Sequence, residues 1–83
     1  MNWEIQLARP LRTHRCGLPV VVRTLGEAID LVDEDLPETL RFQPAWREVK
    51  DMLVTAAELR TGVAVEVATT MLERVLDAEG WLE

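Results

Sequence analysis

The chain has 83 residues, of which 48% are hydrophobic and 29% are charged, with four glycines and four prolines. This composition excludes a wholly disordered chain, a collagen-like repeat and a low-complexity segment, and the length suffices for one hydrophobic core. A net charge of −6 also argues against a protein that binds nucleic acid with its whole surface. We therefore predict a single domain over residues 1–83.

The charges are unevenly distributed along the chain. Residues 1–23 carry four arginines and one glutamate, whereas residues 24–83 carry five basic and fourteen acidic residues. Such an asymmetry can separate a basic interaction surface from an acidic, solvated one. The basic residues of the first segment are Arg9, Arg12, Arg15 and Arg23.

Localisation follows from three absences in the sequence. Cys16 is the single cysteine, which excludes an intramolecular disulfide and fits a reducing compartment. The first residues lack the basic start and apolar run of a signal peptide. The longest apolar run, Leu18 to Val22, contains a proline and is far shorter than the roughly twenty residues of a membrane-spanning helix. The expected location is the cytoplasm, with no membrane partner.

The N-terminal region has the pattern of a β-hairpin. Trp3, Ile5 and Leu7 alternate with polar or small residues, which predicts a strand with one face on a core. Whether that strand ends at Pro10 or continues through His14 is left open, because proline is tolerated on an edge strand. Consecutive β-branched residues then predict a second strand over about residues 19–23.

A first helix is predicted from Thr24 to Leu36. Thr24 and Glu27 have the spacing of a capping box, and Pro37 cannot continue a helix. The residues that share one face at about 100° per residue are expected to be buried. They are Leu25, Ala28, Ile29, Val32 and Leu36.

Two further helices are predicted. The second begins at Pro44, a favoured first helical residue, and is stopped by Thr61 and Gly62. Its central buried stripe is Trp46, Val49, Leu53, Ala56 and Ala57, widened by Ala45, Met52 and Leu59. The third runs from about Ala64 to Glu79, buries Val65, Ala68, Met71, Leu72, Val75 and Leu76, and closes at Gly80. The predicted fold is an α+β domain in two layers, with an N-terminal β-hairpin followed by three helices.

Several of these residues resemble a known family. They are the valines of the second strand leading to Glu27 and Ala28, Leu36 with Pro37, Ala45, Leu53, Ala68, and the segment Ala78 to Trp81. Together they make residues 18–82 similar to the domain-of-unknown-function 982 family of short bacterial proteins. The resemblance implies a shared small fold. Because that family has no established activity, it implies no catalytic or ligand-binding residues.

The polar residues supply two weak candidates for chemistry. His14 and Cys16 share one face of an extended chain near arginines that favour a thiolate, but they supply only two of the four ligands of a structural zinc site. A nucleophile would also need an orienting group and an oxyanion site. An acidic cluster, without the glycine of a calcium loop, is interpreted as a solvated helix face: Glu27, Asp30, Asp33, Glu34, Asp35 and Glu38. We predict no catalytic site, metal or cofactor.

The four arginines allow two interpretations. If the strands pair, Arg9, Arg12, Arg15 and Arg23 can form one basic patch that contacts nucleic acid. Alternatively, they protect the edge of the hairpin from unwanted strand pairing, which we favour because stacking aromatic residues are few.

The apolar residues outside the main stripes are the more informative feature. Val54, Val63 and Val67 have no evident destination within one copy of the chain. Trp3 and Trp81 lie near the ends, where a large aromatic covers the core or anchors an interface, and we expect both to belong to the core. The leading hypothesis is a non-catalytic interaction or regulatory module, homodimeric or bound to a larger protein. The alternative is a nucleic-acid-binding regulator that uses the arginines.

Overall fold

A computed structural model describes residues 3–14, 17 and 20–83. Its elements are strands β1 (Gln6–Arg12) and β2 (Val21–Thr24), helix α1 (Leu25–Asp30), a π-helical segment (Leu31–Asp35), and helices α2 (Glu38–Arg41), α3 (Pro44–Leu59) and α4 (Gly62–Ala78). The predicted α+β class, a hairpin followed by helices, is confirmed. The predicted number of helices is wrong, because the first one changes to π geometry at Leu31 and a short helix, α2, precedes α3.

The hairpin is antiparallel and irregular. Gln6 pairs with Thr24, but Leu11 pairs with Val22, so residues 7–10 of β1 lie opposite Arg23 alone. Pro10 falls in this irregular part, where a missing N–H costs no regular ladder bond. The first strand therefore continues through Pro10 and ends at Arg12. Pro19, near the start of the predicted second strand, lies outside the described residues.

The start of α1 confirms the predicted cap at Thr24, whereas the Glu27 carboxylate binds the amide before Thr24 and not that of Thr24 itself. The hydroxyl of Thr24 accepts a hydrogen bond from the amide of Glu27 at 3.1 Å, and the Glu27 carboxylate accepts one from the amide of Arg23 at 3.0 Å. The amides of Leu25 and Gly26 donate to backbone carbonyls of the N-terminal segment at 2.9 and 2.8 Å. Each amide of the first turn therefore has an acceptor, which stabilises the start of the helix.

The residues predicted to be buried in the first helix lie in the core. All of them are buried except Ile29, which is partly buried and packs against the core. Leu31 is buried as well; its amide donates to the carbonyl of Glu27, so it continues the phase of α1 about 60° from Ala28, at the edge of the predicted face. Leu36 then adopts extended geometry before Pro37, as predicted.

The central stripes of α3 and α4 are largely as predicted. All five central residues predicted for α3 are buried, but Leu59 is 59% exposed, so the predicted width of that face is wrong. On α4 the stripe includes Thr69, which is completely buried, whereas Met71 and Val75 are only partly buried. The described residues share one hydrophobic core between the hairpin and the helices.

The junction between α3 and α4 differs from the predicted stop. Arg60 takes the left-handed conformation with φ 58°, and Thr61 caps α4 by accepting a hydrogen bond from the amide of Ala64 at 3.1 Å. Gly62 is the first residue of α4. The predicted stop at Thr61 and Gly62 is therefore the start of the next helix.

The end of α4 confirms the predicted role of Gly80. Gly80 has φ 77°, its amide donates to Asp77, and the amide of Trp81 donates to Leu76 at 2.9 Å. This double closure is the Schellman motif. It directs Trp81 into the core, where its ring stacks on Trp46 with centroids 6.0 Å apart.

The residues after α4 pair with the end of β1. Leu82 forms an antiparallel bridge with Thr13, the amide of His14 donates to Trp81 at 3.0 Å, and the amide of Glu83 donates to Arg12 at 2.9 Å. The amide of Thr13 points the other way and donates to the carbonyl of Val20, before β2. Residues 81–83 therefore pair with the edge of the first strand that β2 leaves open.

Gly26 is expected to be intolerant of a side chain. An added Cβ would lie 3.0 Å from the carbonyl oxygen of Trp3 and 3.2 Å from its Cβ. Gly26→Ala should lower the free energy of unfolding by about 1 kcal/mol, measured by urea denaturation. Gly62→Ala is the matched control, since its Cβ would meet nothing within 4 Å, and should raise stability by up to about 1 kcal/mol. Equal effects of the two variants would contradict the close approach of Trp3.

Arg60 is expected to store a small conformational strain. Glycine adopts its left-handed geometry without a Cβ clash, so Arg60→Gly should raise the free energy of unfolding by about 0.5 to 1 kcal/mol. Arg60→Ala removes the same side chain but keeps a Cβ, and should bring no gain. A gain of equal size in both variants would show that the long side chain is the cause.

Candidate interaction surface

The structure separates the arginines that the sequence placed in one patch. Arg9 lies on the face of β1 that packs on α4, where Nη2 and Nε bind the Glu73 carboxylate at 2.6 and 3.2 Å. Arg12 and Arg23 are exposed on the outer face of the hairpin. The predicted inclusion of Arg9 in one continuous basic patch is therefore wrong. Side chains alternate between the two faces of a strand, and Arg9 and Arg12 lie on opposite faces of β1. Arg15 lies outside the described residues.

The Arg9 charge is compensated within the protein. Its hydrogen bond to Glu73 lowers the pKa of that carboxyl, and the same bond raises the pKa of the guanidinium. Glu66 lies 3.6 Å from Nη1. A phosphate group would have to compete with these carboxylates, so Arg9 contributes little to a nucleic-acid surface.

A buried hydroxyl makes a second contact between β1 and α4. Thr69 accepts a hydrogen bond from the amide of Ala8 at 3.0 Å and donates to the carbonyl of Val65 at 2.8 Å. The backbone amide on this side of β1 is thereby satisfied by a side chain instead of another strand. A threonine within the apolar stripe of α4 is the sequence signal for this contact.

The free edge of β2 is partly blocked. The carbonyl of Val20 accepts a hydrogen bond from Thr13, the residue after β1, so the amides of Val21 and Arg23 point away from β1. The Glu27 carboxylate binds the Arg23 amide at 3.0 Å. A charged side chain on an edge amide disfavours strand addition. The group that blocks this amide is the Glu27 carboxylate, whereas the predicted edge protection by arginines stays a prediction.

Three exposed apolar residues lie at the end of α3 and in the first turns of α4. Exposure is 59% for Leu59, 76% for Val63 and 41% for Val67. Met52 on α3 and Met71 on α4 are half-buried and pack against the core. We call Met52, Leu59, Val63, Val67 and Met71 the outer seam.

Two salt bridges, one on α3 and one on α4, indicate on which side of each helix the outer seam lies. Lys50 binds Asp33 of the π-helical segment at 2.8 Å, so that segment covers the Lys50 side of α3. Arg9 binds Glu73, so β1 covers that side of α4. Met52 and Met71 each lie about 160° around their helices from these contacts, at about 100° per residue. They therefore face the side on which the two helices pack together.

The other apolar candidates lie elsewhere. Val54 is half-buried and points about 160° away from Met52 around α3. Trp3 is partly buried against the core, and Trp81 is 9% exposed, which confirms the expectation that both cover the core. The structure thus brings Val63 and Val67 together and separates them from Val54, Trp3 and Trp81.

The polar candidates are described only in part. His14 is exposed, and Cys16 lies outside the described residues. Two members of the acidic cluster have structural partners, since Glu27 caps α1 and Asp33 binds Lys50. Within residues 3–14, 17 and 20–83, no three metal-binding side chains come together. In the same part of the chain, no helix combines the length and apolarity needed to span a membrane.

The comparisons with known proteins leave this surface to be interpreted on its own geometry. The chain matches no protein-family profile, no curated protein and no solved structure.

The Thr69 hydroxyl is expected to be required for stability. Thr69→Val keeps the shape but leaves the Ala8 amide without its acceptor, so the free energy of unfolding should fall by about 1 to 3 kcal/mol in chemical denaturation. Thr69→Ser keeps the hydroxyl and should be less destabilising. A serine variant that is no more stable than the valine variant would exclude the hydrogen bond as the main contribution.

The Arg9 and Glu73 pair predicts a pH dependence. Glu73 has a lowered pKa in the folded state, so its contribution to stability is present above the unfolded value of about 4.3 and is lost as the pH falls through the folded value. The stability difference between wild type and Glu73→Gln should be largest near pH 7 and shrink below about pH 4.3. Thermal unfolding from pH 3 to 7 measures it, with Glu58→Gln as an exposed control. A difference that is independent of pH would contradict the ion pair.

Proposed function

We propose that this protein is a small non-catalytic interaction module that self-associates through the outer seam. The observation that carries the proposal is the exposure of Leu59 at the end of α3 and of Val63 and Val67, one turn apart, at the start of α4. Contiguous apolar surface is uncommon on proteins that work alone and is typical of protein contact sites. The resemblance to the domain-of-unknown-function 982 family stays a prediction.

The spacing on α4 supports a second copy as the occupant. Val63 and Met71 each lie four residues from Val67, so all three share one stripe of the helix. If two copies of α4 cross antiparallel with the two-fold axis at Val67, Val63 of one copy meets Met71 of the other. A symmetric dimer needs a surface that is complementary to itself in this way.

The alternative, nucleic-acid binding by the hairpin, has less support. Arg9 is held by α4, so the exposed arginines of the described hairpin are Arg12 and Arg23. Two phosphate contacts supply little affinity at moderate salt. Nucleic-acid binding is therefore an outcome of the test below and not a second proposal.

The test measures the concentration dependence of the oligomeric state by analytical ultracentrifugation. Val63→Lys and Val67→Lys place a strongly hydrated charge in the seam and should each weaken the dimer at least about tenfold. Lysine also reduces the net negative charge, so general repulsion between copies cannot explain a loss. Val20→Lys is the matched control, because Val20 is an equally exposed valine on the hairpin, 71% accessible.

Two results would contradict the proposal. One is a wild-type protein that remains monomeric at about 1 mM, a concentration at which even a weak specific contact is populated. The other is equal weakening by the control and the seam variants. The alternative would be favoured if the wild type binds nucleic acid at low salt and the double variant Arg12→Gln, Arg23→Gln does not.

A further inference from the structure

The corner between α2 and the first turns of α3 holds a pocket separate from the outer seam. Its volume is about 270 Å³, and its lining residues are Arg41, Phe42, Arg47, Lys50 and Asp51. These side chains come from both sides of the α2 to α3 connection. No sequence motif links them.

The pocket is basic although the protein is acidic. Three cationic side chains and one carboxylate line it, in a chain with net charge −6. Lys50 is held by Asp33 at 2.8 Å, whereas Arg47 has no ion pair among the described residues. A local positive charge within an acidic surface attracts an anion to this corner specifically.

Arg41 supplies a fixed donor with unused capacity. Its Nη2 donates to the carbonyl of Leu36 at 3.0 Å, which fixes the position of the guanidinium. Its Nε is buried and has no hydrogen-bond partner within the described part of the chain. The guanidinium is therefore held in place with its Nε facing the interior, and the pocket is lined by the same side chain.

Phe42 adds an aromatic surface to the same pocket. Its side chain is 69% exposed, although burial of a phenyl ring is strongly favourable. A ring exposed beside guanidinium groups offers a face on which a flat, apolar group can stack. Cationic donors next to an apolar face are the usual composition of a site for a small organic anion.

We propose that this pocket binds a small organic anion, in which a phosphate or carboxylate group is attached to a flat ring. Arg41 and Arg47 bind the anionic group, since guanidinium matches the geometry of both oxyanions. Phe42 stacks on the ring. Asp51 lines the same pocket and disfavours ligands with a second anionic group. This inference does not depend on self-association through the outer seam.

The experiment titrates the whole protein with phenyl phosphate and, separately, with inorganic phosphate. Two-dimensional 1H–15N NMR follows the backbone amides of residues 41–51 and the Nε–H of Arg41, and also reports whether each variant is folded. We expect saturable shifts confined to this corner, with tighter binding of phenyl phosphate. Arg47→Gln should weaken the binding of phenyl phosphate at least about tenfold, because a charge-assisted hydrogen bond is lost.

Two matched variants separate this site from general ion binding. Arg74→Gln removes an exposed arginine from α4 and should change the affinity by less than about twofold. Phe42→Leu should weaken phenyl phosphate and leave inorganic phosphate unchanged. The proposal is overturned by the absence of saturable shifts up to about 10 mM. It is also overturned by equal weakening in Arg47→Gln and Arg74→Gln, or by unchanged binding of phenyl phosphate to Phe42→Leu.

Discussion

The attachment of β1 to α4 is the contact on which the rest of the structure depends. A two-stranded hairpin is marginal alone in water, so this one requires the helical layer for its stability. The buried Thr69 hydroxyl binds the Ala8 amide, and Arg9 binds Glu73 next to it. These polar contacts fix which face of β1 turns inward, and with it the burial of Leu7 and Leu11. They also leave the opposite flank of α4 uncovered by the hairpin.

Local signals in the sequence predicted the element boundaries well. The cap at Thr24, the stop before Pro37, the start at Pro44 and the closure at Gly80 each depend on one or two neighbouring residues. The failures arise at the edge of an apolar face and at an unfavoured backbone geometry. Leu31 is buried although it lies beside the predicted apolar face, and Arg60 adopts left-handed geometry that a glycine would adopt more readily.

The two surfaces differ in how far the sequence could reveal them. Val63 and Val67 could be singled out because they fall outside the apolar stripe of one helix. Leu59 could not, because its position fits the stripe and only the arrangement of α3 against α4 exposes it. The basic pocket was missed because Arg41 and Arg47 lie on different helices, and their proximity is a property of the fold alone. Arg9 was misplaced for a related reason, since its partner is 64 residues away.

The pairing of residues 81–83 with the end of β1 has a consequence for the order of folding. The hairpin lies early in the chain, yet one edge of β1 is completed only by Leu82 and the amide of Glu83. Thr69 is likewise separated from Ala8 by 61 residues. Contacts of such sequence separation form late and slow the folding of a small domain. During synthesis, β1 therefore keeps an open edge until residues 81–83 have left the ribosome, and α3 and α4, which precede them in the chain, are made before the sheet is closed.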